Sequence, residues 1–128
     1  MTKEDLIGLF EQSKTLSDIG LEVKTDAAKI RLRGVAGSAY AFLVSKLVKD
    51  TDQDHLIVLS DKEEAAYFLS DLELLTGKKK VLFYPMSYRR AYELEETDNS
   101  NVIQRGEVLN ALQSSASQQI IVTYGQAL

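Results

Sequence analysis

Residues 28–48 read AKIRLRGVAGSAYAFLVSKLV, and this stretch decides the fold class. Its first five residues alternate apolar and basic side chains, which is the period of a β-strand. Two glycines follow at positions 34 and 37, and they mark a turn. Apolar residues then recur at helical spacing, at Tyr40, Leu43, Val44, Leu47 and Val48. The stretch therefore predicts a strand, a glycine turn and a helix, in that order.

The alternation of strand and helix continues along the chain. Apolar runs typical of strands occupy residues 28–32, 55–59, 80–84 and 119–123. Helical patterns occupy the stretches between them, at residues 38–48, 60–77 and 100–114. The run at 55–59 is apolar at nearly every position, which predicts a strand buried on both faces. Strands that alternate with helices favour a parallel sheet with flanking helices, so we expect an α/β fold.

Residues 1–28 are expected to form an N-terminal helical segment that precedes the α/β domain at residues 29–128. A capping pattern predicts a helix over residues 2–13. A second short segment at residues 16–23 is ambiguous, because Gly20 interrupts it. The chain stops just past an apolar run that is typical of a strand, so we expect it to be a truncated fragment of a much longer protein.

The composition limits the classes of function. A length of 128 residues with 45% hydrophobic and 27% charged residues suits one globular domain. There is no cysteine, which excludes disulfides and thiolate metal sites and is compatible with the cytoplasm. A net charge of −4 provides no overall attraction to nucleic acid or anionic lipid. We expect no membrane partner, since there is neither a signal peptide nor an apolar run long enough to span a bilayer.

The glycine turn occupies the position of a phosphate-binding loop, G-x-x-x-x-G-K-[ST]. In such a loop the glycines let backbone N–H groups wrap the phosphates, the lysine offsets their charge and the hydroxyl holds magnesium. The corresponding residues of this degenerate loop are Gly34, Gly37, Ser38, Ala39, Tyr40 and Ala41. The second glycine, the lysine and the hydroxyl residue are therefore absent. We expect no catalytic residue, no metal site and no bound cofactor in this chain.

Two interpretations of the loop remain open. It is either an ordinary turn whose glycines serve backbone geometry or a nucleotide loop that has lost its working residues. Gly37 and Ser38 retain a tight turn at a helix N-terminus, which could attract an anion weakly. Tyr40 stands where the lysine would be, and we expect its ring to cover the empty site and to be buried on the helix.

The residues from Leu32 to Leu43 resemble a known family. They contain a leucine-x-glycine, then glycine-serine-alanine, then alanine-phenylalanine-leucine, as does the N-terminal module of the bacterial transcription-repair-coupling factor. The same segment resembles the first motor half of the excinuclease B protein, whose loop is intact. The resemblance extends over residues 29–128, but the chain departs from the family pattern at residues 86–92. It implies a RecA-like half domain of the phosphate-loop NTPase type.

The resemblance also implies a function for the parent protein. That parent is an ATP-dependent DNA translocase that releases stalled RNA polymerase and recruits nucleotide excision repair. Its ATP and magnesium site would lie outside this chain, and the excinuclease A protein would bind mainly to the following domain. This fragment would be a non-catalytic scaffold that packs against neighbouring domains of the parent.

Other residues with chemical potential have ordinary interpretations. His55 is the single histidine and begins a predicted strand, without a catalytic partner in the sequence. Three nearby aspartates lack the glycine and distal glutamate of a calcium loop, which favours a solvated turn. Residues 84–92 contain both aromatic and basic side chains, but the acidic residues that follow cancel their field. We therefore expect no DNA binding by this stretch.

Two rival functions are a nucleotide-binding enzyme and a receiver-like signalling domain. The enzyme requires the lysine and hydroxyl that the loop lacks. A receiver requires acidic residues at the end of the first strand, where this chain has Arg31, Leu32 and Arg33.

Overall fold

Three of the predicted strands form a parallel sheet. The structure is a computed structural model that describes residues 1–77, 79–86, 99–114 and 117–128. Its strands are β1 (His55–Leu59), β2 (Val81–Tyr84) and β3 (Ile120–Tyr124). Their order in the sheet is β1-β3-β2, so β3 lies in the centre and pairs in parallel with both neighbours. The fold is therefore mixed α/β, with a small parallel sheet and flanking helices.

Five α-helices and one short 3-10 turn lie among the described residues. They are α1 (Lys3–Glu11), α2 (Lys14–Val23), α3 (Ala39–Asp50), α4 (Lys62–Thr76), α5 (Asn99–Ser114) and the 3-10 turn Gly125–Ala127. None of these helices is long and apolar enough to cross a membrane.

Local sequence explains where the helices begin and end. Thr2 caps α1, and its side chain and that of Asp5 each bond the other's backbone N–H. Asp61 caps α4 by accepting the N–H of Glu64 at 2.8 Å. Gly77 ends α4 with φ at 62°, a conformation that favours glycine.

The two faces of the sheet are covered unequally. α3 and α4 pack on one face, where the main core contains Val48, Leu72 and Val122. α5 packs on the other face, where Val108 contacts Leu82 and Ile121. Leu56 and Val58 of β1 also point to this second face, and their side chains are 61% and 49% exposed. The prediction of a strand buried on both faces is therefore wrong for β1, since it is an edge strand with one open face.

The predicted first strand at residues 28–32 is also wrong, because these residues form neither helix nor strand. Ile30 in their centre is 39% exposed. Alternation of apolar and basic residues is a strand pattern only where a neighbouring strand supplies hydrogen bonds, and this segment pairs with none. The turn before α3 therefore follows an irregular segment, and the sheet has three strands among the described residues and not four.

The N-terminal helices pack against α3. The rings of Phe10 and Phe42 are stacked, with centroids 4.7 Å apart. α2 continues through Gly20, so the predicted break is wrong. Gly20 is buried where α2 packs on α3, and a Cβ there would lie in ordinary van der Waals contact, 3.4 Å from the Asp50 carboxylate.

Candidate functional site

The degenerate loop adopts the tight turn that its glycines predict. Gly34 and Gly37 have φ angles of 79° and 56°, in the left-handed region where a side chain is strained. A Cβ at either glycine would meet no atom within 4 Å, so backbone conformation alone requires glycine. Turn geometry therefore explains both glycines without a bound phosphate.

Backbone N–H groups at the start of α3 already have protein partners. The N–H of Tyr40 donates to the carbonyl of Gly37 at 3.4 Å. The N–H of Ala41 donates to the carbonyl of Ser38 at 3.0 Å. A phosphate bound at a helix N-terminus needs such amides directed at it. In this structure an anion would have to compete with these two turn bonds.

Ser38 connects the loop to a carboxylate on the neighbouring helix. Its side chain makes no capping bond to the backbone of α3. The Ser38 hydroxyl instead donates to Oδ2 of Asp71, on α4, at 3.0 Å. A negative charge therefore lies beside the turn, where a phosphate loop would place a positive one.

The three residues that replace the nucleotide-binding positions have different surroundings. Ala41 is fully buried in the main core, whereas Ala39 is only partly buried. Tyr40 is 44% exposed, so its ring is not buried on the helix as the sequence predicted. The ring instead forms one wall of a groove between α3 and α4.

This groove, which we call the β1 groove, lies along the carboxyl half of β1. Its lining residues come from the glycine turn, α3, β1 and α4: Gly37, Ser38, Tyr40, Val44, Ile57, Val58, Leu59, Ser60, Glu64, Tyr67, Phe68 and Asp71. The floor is largely apolar. Glu64 and Asp71 are the only charged residues of this lining, and both are acidic. Glu64 is held in place because its carboxylate accepts the N–H of Ser60 at 3.2 Å and bonds the Ser60 hydroxyl.

His55 lies at the opposite end of β1, and its side chain has a structural role. Its Nε2 is 2.9 Å from Oγ1 of Thr51, which accepts this bond because the Thr51 hydroxyl donates its one hydrogen to the carbonyl of Leu47 at 2.8 Å. Burial lowers the pKa of His55, and the Lys79 ammonium lowers it further, while Asp54 raises it. The imidazole is thus half-buried and favours the neutral form.

Two of the three aspartates before His55 contact other groups of the protein. Asp50 makes an ion pair with Lys46 at 3.0 Å, and Asp54 accepts the N–H of Gln119 at 2.7 Å. No cluster of potential metal ligands is present within the described part of the chain.

Most of the aromatic and basic stretch at residues 84–92 lies outside the described residues. Tyr84 is described, and the guanidinium of Arg105 lies 4.0 Å from the centroid of its ring. Arg105 also donates to the carbonyls of Pro85 at 2.8 Å and Ala127 at 3.1 Å. These contacts join α5 to the ends of β2 and β3, and they identify Arg105 as a structural residue.

Sequence reasoning did not identify Asp71 as part of the site. Asp71 is 33 positions from Ser38 and lies on a helix whose pattern indicates only packing. No local motif connects the two residues, and only the packing of α3 against α4 brings them together.

Comparisons with protein-family models, curated proteins and solved structures find no match to this chain.

Proposed function

We propose that this chain is a non-catalytic scaffold domain of a transcription-coupled DNA repair translocase. In this proposal it is a RecA-like half domain whose nucleotide loop is degenerate. The observation that carries the non-catalytic part is the hydrogen bond from Ser38 to Asp71, which places a carboxylate beside the loop. The identity of the parent protein rests on the resemblance of residues 32–43 to the coupling factor.

The electrostatics of the β1 groove support a domain that does not bind nucleotide. Two like unit charges about 4 Å apart near a protein surface repel each other by about 4 kcal/mol. A triphosphate at the glycine turn would approach Asp71 without a lysine to offset its charge. Magnesium would find no hydroxyl at position 41, because the residue there is an alanine, and Ala41 is also buried in the core. The charge of Asp71 and the absence of a hydroxyl at position 41 both oppose ATP binding.

The parent's partners follow from the same resemblance and are part of the proposal. ATP and magnesium would bind elsewhere in the parent, as would DNA and RNA polymerase. The excinuclease A protein would bind through the following domain. The fragment would contribute packing surfaces for neighbouring domains, for which the exposed apolar side chains Leu56 and Val58 are suited.

Calorimetric titration with ATP and magnesium tests the non-catalytic assignment. We expect no saturable binding by the wild-type chain or by Tyr40→Lys, because Ala39 and Ala41 remain unsuitable in the variant. Asp71→Asn is the matched control that removes the repelling charge without restoring the loop. Micromolar binding by the wild-type chain would overturn the proposal and would favour a nucleotide-binding domain.

A gel-shift titration with duplex DNA tests the role of the fragment within the parent. Non-specific DNA binding is dominated by phosphate neutralisation, and a net charge of −4 provides no overall attraction to the phosphates. We expect no shift at physiological salt. Saturable sub-micromolar binding that weakens steeply with salt would assign a direct DNA contact to this fragment.

A further inference from the structure

The β1 groove has the size and the mixed lining of a binding surface. Its volume of about 710 Å³ lies within the range of roughly 300–1,000 Å³ that is typical of ligand pockets. Val44, Ile57 and Leu59 supply an apolar floor that packs against the main core. Because this floor belongs to a helix and a strand and not to a loop, a ligand would find the groove already formed.

One face of α4 forms the acidic wall of the groove. The residues of this wall lie at positions i, i+3, i+4 and i+7 of the helix, which share one face: Glu64, Tyr67, Phe68 and Asp71. Phe68 is buried beneath the face, whereas Tyr67 is 70% exposed. Seven residues of α-helix span about 10 Å, so the two carboxylates are placed for two separate cationic groups and not for one ion.

The charges of these two carboxylates are not offset within the described residues. Asp71 accepts the Ser38 hydroxyl at 3.0 Å, and Glu64 accepts the N–H of Ser60 at 3.2 Å and bonds its hydroxyl. These donors are neutral, so they orient the carboxylates and leave the charge in place. None of the ion pairs between described residues includes Glu64 or Asp71. The groove therefore attracts a cationic ligand and repels an anionic one.

The two walls of the groove differ in chemistry. The α4 wall has Tyr67 between its two carboxylates, and a cation over an aromatic ring is stabilised. The α3 wall consists of Tyr40 and Val44 and contains no charged residue. An extended peptide directs alternate side chains to opposite sides. The groove therefore suits a segment whose basic residues face α4 and whose apolar residues face α3.

We propose that the β1 groove binds an extended segment of a partner protein in which arginine or lysine alternates with apolar residues. Alternate residues of such a segment are about 7 Å apart, so two of its long basic side chains can reach Glu64 and Asp71. A metal ion fits less well, because it needs a shell of oxygen ligands and a tyrosine ring lies between the two carboxylates. This binding does not depend on which parent protein contains the chain.

NMR titration of the isotope-labelled full chain with a capped peptide of alternating arginine and leucine tests this binding. We expect saturable shifts at the amides of Ser38, Ser60 and Asp71, which line the groove. Asp71→Asn keeps an oxygen for the Ser38 hydroxyl but removes the charge, so it should weaken binding about 10-fold. Glu64→Gln should weaken binding only about 2-fold, because Glu64 is exposed.

Glu73→Gln is the matched control for the charge, because it removes a carboxylate from an exposed position of α4 outside the groove lining. This variant should bind the peptide like the wild type. Tyr67→Leu tests the ring and should weaken binding about 2- to 5-fold, whereas Tyr67→Phe keeps the ring and should not. Binding to the wild type should also weaken as salt is added.

A peptide in which citrulline replaces arginine keeps the shape of the side chain without its charge, and it should bind at least about 10-fold more weakly. Equal binding of the two peptides would overturn the proposal, as would equal losses in Glu73→Gln and Asp71→Asn or the lack of saturable shifts at the groove amides. Shifts of these amides with protein concentration alone would overturn it in favour of a second copy. Shifts with calcium chloride alone would overturn it in favour of a metal ion.

Discussion

The two faces of β1 are both apolar in sequence but differ in what covers them. Ile57 and Leu59 point toward α3 and α4 and pack against the main core. Leu56 and Val58 point to the opposite face, where α5 covers β2 and β3 and leaves them exposed. The difference shows that an apolar run indicates where a strand is but not how many layers enclose it.

The largest expected effect separates the covered face from the open one. Leu72 is fully buried against the covered face, so Leu72→Ala should lower the free energy of unfolding by about 2–5 kcal/mol. Leu56 is 61% exposed on the open face, so Leu56→Ala should cost less than about 1 kcal/mol. Chemical denaturation of both variants measures the difference. Equal losses would mean that the open face is covered in solution.

Sequence patterns predicted the elements that depend on local signals. The strands that became β1, β2 and β3, the end of α4 at Gly77 and the cap of α1 at Thr2 all follow from residues within a few positions. The patterns failed where a neighbour decides the outcome. Residues 28–32 have strand alternation but no paired strand, and Gly20 lies within α2, which packs on α3.

The candidate site was predictable to the same limited extent. The loss of the phosphate-binding residues at positions 39–41 is visible in the sequence alone. The carboxylate of Asp71 beside Ser38 depends on how α3 packs against α4, which no spacing rule predicts. The burial of Ala41 and the exposure of Tyr40 likewise depend on which way α3 is rotated against the sheet.

Tyr40 lies in the wall of the β1 groove, beside the covered face of β1, and its substitution measures how much the ring contributes to packing there. Removing a partly buried aromatic ring, as in Tyr40→Ala, is expected to lower the free energy of unfolding by about 1–3 kcal/mol. Because the side chain is 44% exposed, we expect a value near the lower end, about 1 kcal/mol. Tyr40→Phe keeps the ring and is the control for the hydroxyl. An unchanged free energy of unfolding in Tyr40→Ala would show that the ring does not pack against the wall of the β1 groove.

The smallest expected effect comes from His55, whose pKa indicates whether the covered face extends to the amino end of β1. His55 begins that face, and burial together with Lys79 lowers its pKa below the usual value of 6.5, against the opposing effect of Asp54. The unfolded chain therefore binds a proton at a higher pH than the folded chain does. The stability that the neutral imidazole provides is complete above pH 6.5 and decreases as the pH falls below it.

NMR titration measures this pKa directly, because the chain contains a single histidine and hence a single set of imidazole resonances. Chemical denaturation above and below pH 6.5 then compares the wild type with His55→Gln, which has an amide that can also donate to Thr51. We expect the wild type to lose stability on acidification relative to the variant, since only the wild type has a titrating group at this position. An imidazole that titrates at or above 6.5 would mean that burial does not outweigh the attraction of Asp54. The covered face would then end at Ile57, and the bond to Thr51 would contribute nothing to the neutral form.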